Sequence, residues 1–160
     1  MIEAGAQRRL RDSRSAIMTN TRPCVLLVDD YEDSLESWRL FLELSGYDVL
    51  TARDGYSAVQ LASDCHPAVV IMDLDLPGIT GVEAGRRLRA SPDTRGMPLI
   101  AATGYSHGRQ LDEARAVGFD TMILKPCDPA MLLRAIERLI APQTSGASAP
   151  TDGQSRATCW

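Results

Sequence analysis

Ala68-Val69-Val70-Ile71-Met72-Asp73-Leu74-Asp75-Leu76-Pro77-Gly78 is the stretch from which the rest of the chain can be read. Ala68 to Met72 carries no polar side chain and is too short for a helix, so it reads as a strand covered on both faces. The run then breaks into acids, a proline and a glycine, which marks a turn at its carboxyl end. A strand buried on both faces needs helices above and below it, and the expectation is a parallel sheet built from βα units. The same pattern recurs on either side. Cys24 to Val28 runs into Asp29-Asp30, Pro98 to Ala102 into Thr103, and Thr121 to Leu124 into Lys125-Pro126.

Helical patterns fill the intervals. Leu35, Trp38, Phe41 and Leu42 recur at helical spacing, and Gly46 is placed to end that helix. Asp48 to Ala52 is a short, less apolar strand, expected at a sheet edge, and Asp54 to Ser63 is a weaker helix. Thr80 with Glu83 is a capping-box signature for a helix through Leu88. Leu111, Ala114 and Val117 belong to a helix closed by Gly118. Asp128-Pro129 caps a last helix with Leu132, Leu133, Ile136, Leu139 and Ile140 on its buried face. The predicted fold class is α/β: a flavodoxin-like, doubly wound, five-stranded parallel sheet of order 2-1-3-4-5, flanked by five helices.

At 160 residues and 44% hydrophobic composition, the chain is expected to hold one compact domain with tails. We place the domain at 23–141. Residues 1–22 carry Arg8, Arg9, Arg11, Arg14 and Arg22, interrupted by Glu3 and Asp12, and read as a flexible arginine-rich arm. Residues 142–160, rich in Ala, Ser, Thr, Gly and Pro, read as a second flexible tail. A net charge of -4 implies neither nucleic acid nor an anionic membrane as partner. Four cysteines without a CxxC pair suggest neither a zinc site nor a secreted disulfide framework. No signal-peptide pattern and no run near ~18 apolar residues is present, so a cytoplasmic location is expected.

The polar residues that interrupt the apolar runs all fall at strand carboxyl ends: Asp29 and Asp30, Asp73, Thr103 and Lys125. Open doubly wound sheets bind ligands at that rim, where the strand order reverses, and the order 2-1-3-4-5 sets the first and third strands side by side. Three carboxylates would converge there and need a cation. Oxygen-only ligation points to Mg²⁺ rather than a transition metal. Lys125 is the only lysine among seventeen basic side chains. A site that presses one compact positive charge against a small anion selects lysine over the broad guanidinium fork. At about 4 Å and an effective dielectric near 20, an ammonium offers on the order of 4 kcal/mol per unit negative charge before desolvation.

These motifs, in this order, resemble the receiver domain of two-component response regulators, of the stand-alone single-domain type. The resemblance rests on Val28-Asp29-Asp30, on Ile71-Met72-Asp73-Leu74-Asp75-Leu76-Pro77-Gly78, on Ala101-Ala102-Thr103-Gly104 and on Leu124-Lys125-Pro126, and it covers residues 24–140. It implies that Asp73 accepts a phosphoryl group from a sensor histidine kinase or histidine phosphotransfer protein. It also implies that Asp29, Asp30 and Asp73, with the backbone carbonyl of Asp75, hold Mg²⁺, and that Thr103 and Lys125 bind phosphoryl oxygens. Signalling would run through a downstream protein bound by the face of the fourth helix, fifth strand and fifth helix. A cis Lys125-Pro126 peptide is usual in that family.

Two departures bear on the switch. Many relatives have Phe or Tyr three residues before the lysine, where this chain has Met122, and Tyr105 is the candidate substitute in the loop after Thr103. The carboxylate of Asp75 is placed either to hinder or to orient attacking water. Alternatives are a phosphate sink or relay intermediate, served by the same residues, and a haloacid-dehalogenase-like phosphatase using Asp73-Leu74-Asp75. The second has the wrong order, because such enzymes place their acidic pair last. The module is expected to be no enzyme beyond its own phosphorylation and dephosphorylation. His66 and His107 read as surface residues, Cys127 as a small filler, and Arg86, Arg87 and Arg89 as a solvated helix face.

Overall fold

The structure, a computed structural model, describes residues 22–104 and 108–141. Apart from Arg22 the two expected tails lie outside the described residues, as do Tyr105 and His107. Within them run β1 (Cys24–Val28), α1 (Glu32–Leu44), β2 (Asp48–Ala52), α2 (Gly55–Cys65), β3 (Val69–Asp73), α3 (Gly81–Ala90), β4 (Leu99–Thr103), α4 (Arg109–Val117), β5 (Thr121–Leu124) and α5 (Pro129–Ile140). The strands pair in parallel, as the alternation of apolar runs and helical patterns predicts, and in the order β2-β1-β3-β4-β5 expected of the flavodoxin-like doubly wound class. β2 is an edge strand, and β1 and β3 are sequestered almost from end to end.

Strand alternation sorts the core into two layers. Leu26, Val28, Val70, Met72, Leu99 and Ala101 face one side, against Ala58 and Ala62 of α2, Val82 and Leu88 of α3, and Leu111 and Ala114 of α4. Val25, Leu27, Val69, Ile71 and Ile100 face the other, against Leu35 and Leu42 of α1 and Leu132 and Ile136 of α5. Each such aliphatic side chain withdrawn from water contributes roughly 1.5–3 kcal/mol before entropy is counted.

Two strands extend one residue further than side-chain polarity suggests. β3 includes Asp73 and β4 includes Thr103, because ladder pairing is a property of the backbone: Asp73 pairs with Ala102, and Thr103 with Leu124. The two residues are thereby fixed by the sheet rather than by a loop. The second helix also starts and ends later than its pattern suggests, with Asp54 as its N-cap accepting from the Ser57 amide at 2.9 Å. Thr80 caps α3 by accepting from the Glu83 amide at 3.2 Å. Glu83 does not return the bond as a full capping box requires, since its carboxylate pairs with Arg86 and Arg87.

Arg89 corrects its sequence reading. It is only 20% exposed at its side chain. It donates to the carbonyls of Arg95, Met97 and Gly118 and to the carboxylate of Asp120. Asp120 in turn accepts from the Leu99 amide at 2.8 Å. One guanidinium thus ties α3 to the segments that lead into β4 and β5. Helical spacing alone marks this position as outward-facing and does not register that its long side chain folds back over the rim.

Candidate functional site

Each candidate side chain is delivered by the carboxyl end of a strand. Asp29 follows β1, Asp73 is the last residue of β3, Thr103 the last of β4, and Lys125 follows β5. Lys125 is held in line by its own amide, which donates to the Thr103 carbonyl at 2.8 Å and so continues the β4–β5 ladder by one residue. The Lys125–Pro126 peptide is cis.

The sheet brings the acids together. One carboxylate oxygen from each of Asp29, Asp30 and Asp73 lies within 4.8 Å of the others. Asp29 and Asp73 are buried and Asp30 is exposed, so the cluster opens to solvent on one side. The Lys125 ammonium donates to Oδ2 of Asp29 and to Oδ2 of Asp73, both at 2.6 Å. Burial pushes the Lys125 ammonium toward losing its proton. The hydrogen bonds to Asp29 and Asp73 and the charges behind them outweigh that and raise its pKa above the usual lysine value. Asp29 shows the mirror effect. Burial pushes its carboxyl up, but bonds from Lys125, from the Tyr31 amide at 2.9 Å and from the Ser34 hydroxyl at 2.8 Å together hold it below the ordinary range.

Ser34 lies five residues past the acidic pair, on the first turns of α1, and was not singled out by sequence reasoning. The only signal was a hydroxyl early in the helix that follows the acids. Gly81 was missed as well. A Cβ at this first residue of α3 would fall 2.0 Å from the Asp73 carbonyl oxygen and 2.8 Å from the Leu74 Cα, while the Gly81 amide donates to the Leu74 carbonyl at 2.9 Å. The helix is therefore pressed against the backbone of Asp73, and only a residue without a side chain permits that approach.

Asp73 Oδ1 accepts from the Asp75 amide at 3.0 Å. Asp75 itself is exposed, and its carboxylate accepts from Gln110 of α4 at 2.9 Å. Thr103 is buried, with 1% exposure, at the same rim. Met122 is half-buried and packs against the core layer of α2, α3 and α4. Tyr105 lies outside the described residues. Cys127 is half-buried, and burial raises its thiol pKa above the usual value, which disfavours a reactive thiolate. His66 is an exposed C-cap of α2 in the left-handed region.

The arrangement suits a small, hard cation. The clustered donors are carboxylate oxygens without a histidine or cysteine among them, the ligand chemistry of a magnesium-type ion. A single ammonium sits directly on two of the three acids. Removing either charge would leave the other buried without full compensation.

Comparison with known proteins agrees on one family. The profile of the response regulator receiver domain matches residues 25–137. The polar-differentiation response regulator DivK of Brucella ovis is 30% identical over 113 residues, which is 71% of this chain and 92% of that protein. The chemotaxis response regulator CheY4 of Vibrio cholerae superposes with a TM-score of 0.70 at 30% identity, over 74% of this chain and 99% of its own. The receiver domain of a sensor histidine kinase from Pseudomonas aeruginosa, whose structure has a magnesium ion coordinated in the active site cleft, gives a TM-score of 0.71 at 29% identity, over 74% of this chain and 98% of its own.

Proposed function

Because this chain belongs to the response regulator receiver domain family, we propose that Asp73 is its phosphoacceptor, charged by a histidine kinase or a histidine phosphotransfer protein. The observation that carries the reading is the Lys125 ammonium lying 2.6 Å from both Asp29 and Asp73, with Asp30 in the same cluster. A carboxylate attacks a charged phosphoryl group poorly unless charge is neutralised and geometry is set, so most of the catalytic contribution is electrostatic positioning. The sheet supplies the positioning. An Asp73 carboxylate oxygen forms the new O–P bond as the P–N bond to the donor imidazole breaks, with the electron pair leaving on the imidazole nitrogen. Lys125, now shared between Asp73 and Asp29, follows the negative charge onto the phosphoryl oxygens. Thr103, buried at the end of β4, donates its hydroxyl to another of them.

Asp29, Asp30 and Asp73, with the Asp75 backbone carbonyl, would hold Mg²⁺. When bound, the ion supplies positive charge against the phosphoryl oxygens. The magnesium-bearing kinase receiver noted above supports this assignment by similarity.

The output reading is contact with a downstream protein across α4, β5 and α5. On that face an open groove of about 560 Å³ runs between β5 and α5, lined by Met122, Met131, Arg134 and Arg138 among others. The DivK relative is matched over 92% of its length, so it consists of little besides this module. That supports a signalling module, residues 23–141, that works by protein contacts rather than as an enzyme on outside substrates. No helix among the described residues is long and apolar enough to cross a membrane, and a cytoplasmic setting fits a kinase donor.

The test is a small phosphodonor such as acetyl phosphate with Mg²⁺, read by intact mass and peptide mapping. We expect one phosphoryl group on Asp73 and none in Asp73→Asn. Label on another residue, or no label even with a competent kinase, overturns the reading.

A further inference from the structure

The carboxylate two residues beyond Asp73 does not point into water alone. Gln110 Nε2 donates to Asp75 Oδ1 at 2.9 Å, joining the loop after β3 to the first turn of α4 across 35 residues of chain. The other end of the same loop is tied to the acceptor, since the Asp75 amide donates to Asp73 Oδ1 at 3.0 Å. Two bonds therefore connect the Asp73 carboxylate to α4 through one residue.

The helix at the far end is lightly held. α4 has nine residues, of which only Leu111 and Ala114 are buried, and its N-cap is Gly108, which has no side chain to cap the free amides. Its charged side chains are engaged within the helix, Arg109 with Glu113 and Arg115 with Asp112. Gln110 is the one side chain of α4 that reaches another element through a hydrogen bond among the described residues. Loss of that bond leaves the first turn held by the burial of Leu111 and by the Leu111 and Asp112 amides on the Gly108 carbonyl, with no side-chain hydrogen bond to another element among the described residues.

We propose that Asp75 and Gln110 form a latch that reports the state of Asp73 to α4. The proposal rests on Asp73 being the acceptor. With the acceptor free, the Asp75 carboxylate is drawn toward the Gln110 amide and holds the start of α4 against the loop. A phosphoryl group on Asp73 brings further negative charge close to the Asp75 carboxylate and competes for the same backbone amide. Asp75 then swings away, the bond to Gln110 opens, and the first turn of α4 loosens. The position that holds an aromatic switch in many relatives is Met122 here, which has no ring and no polar tip. A charge-operated latch at the start of α4 supplies coupling that does not depend on a ring at that β5 position.

The test measures amide hydrogen exchange and chemical shifts at the start of α4 in the full chain, for wild type, Gln110→Ala, Asp75→Asn and the double variant, with and without acetyl phosphate and Mg²⁺. Intact mass is recorded on the same samples. Without donor, Gln110→Ala is expected to raise several-fold the exchange of the Leu111 and Asp112 amides, which donate to the Gly108 carbonyl. Asp75→Asn keeps an acceptor oxygen and is expected to leave exchange slow. In labelled protein, wild type moves toward the Gln110→Ala values, whereas Asp75→Asn, lacking the charge that phosphate repels, stays closed. Equal exchange in wild type and Gln110→Ala without donor overturns the latch, whatever the labelling. Labelled wild type that shows no change at α4 overturns it too. Absence of label in every sample instead overturns the assignment of Asp73, and the donor-free comparison still decides whether the tether exists.

Discussion

Lys125 and Asp73 meet across two strand ends, with Nζ 2.6 Å from Oδ2, and the same ammonium reaches Asp29 at an equal distance. One cation is thus shared by two acids that the sheet forces together. We expect Lys125→Met to lower stability in metal-free buffer by about 1–3 kcal/mol. That is below the ~3–5 kcal/mol seen when a fully buried pair loses one partner, because the Lys125 side chain is 26% exposed. Urea unfolding with and without chelator checks this. An unchanged midpoint in chelator would mean that the pair contributes nothing. Lys125→Arg should not restore the wild-type value, since the planar fork does not fit a two-oxygen contact built for a point charge.

Gly81→Ala probes the packing behind Asp73. The added Cβ meets the Asp73 carbonyl and the Leu74 Cα, both backbone atoms with no rotamer to change. A destabilisation of about 1–3 kcal/mol or more is expected from overpacking, together with slower labelling of Asp73. A variant as stable and as quickly labelled as wild type would show that α3 moves aside freely.

Arg89→Lys tests the rim bond network. A lysine keeps the charge but not the fork that serves three carbonyls and Asp120 at once. The loss of two or more hydrogen bonds should cost about 1–3 kcal/mol, and Arg89→Ala no less. Calorimetry on both variants decides. Wild-type stability in the lysine variant would return Arg89 to the solvated face that its helical position suggests.

Asp54 gives a pH signature. Its carboxylate is held below the ordinary value of 3.8 by bonds from the Ser57 amide and hydroxyl at the start of α2. A carboxyl with a lowered folded-state pKa stabilises above its unfolded value, and the contribution fades as pH falls through the folded one. Stability from this cap is therefore present at pH 5–7 and lost in the acid range below about 3.8. Asp54→Ala should cost about 1 kcal/mol at neutral pH, and Asp54→Asn should keep most of the cap while removing its share of the acid dependence. Parallel acid titrations of wild type and Asp54→Asn would show no such difference if the cap were idle.

The parallel sheet and its rim were legible because strands covered on both faces, such as Val69–Asp73, are nearly free of polar residues, and because the polar residues that remain collect at one end, while the strand order followed from the flavodoxin-like class. What the sequence did not disclose shares a different character. Arg89 turns back onto carbonyls far along the chain, Gln110 reaches Asp75 across 35 residues, and Gly81 is small because of a backbone atom eight positions earlier. None of these has a periodicity or a local motif. Each depends on how two separate βα units happen to meet, and that is fixed only when the layers pack. The ends of β3 and β4 were read one residue short for a related reason, since an acid and a hydroxyl look like loop residues until their backbones are seen to pair.

The bonds of Arg89 lie at the edge of the sheet where β4 and β5 begin, opposite the edge where the acids and Lys125 gather. The molecule is accordingly anchored at its floor, and the latch proposed above assigns the adjustment to its ceiling. Strands pinned at one end keep their alignment while the loops at the other end trade partners, so a single chemical event can be answered by local motion without loosening the framework that made it possible.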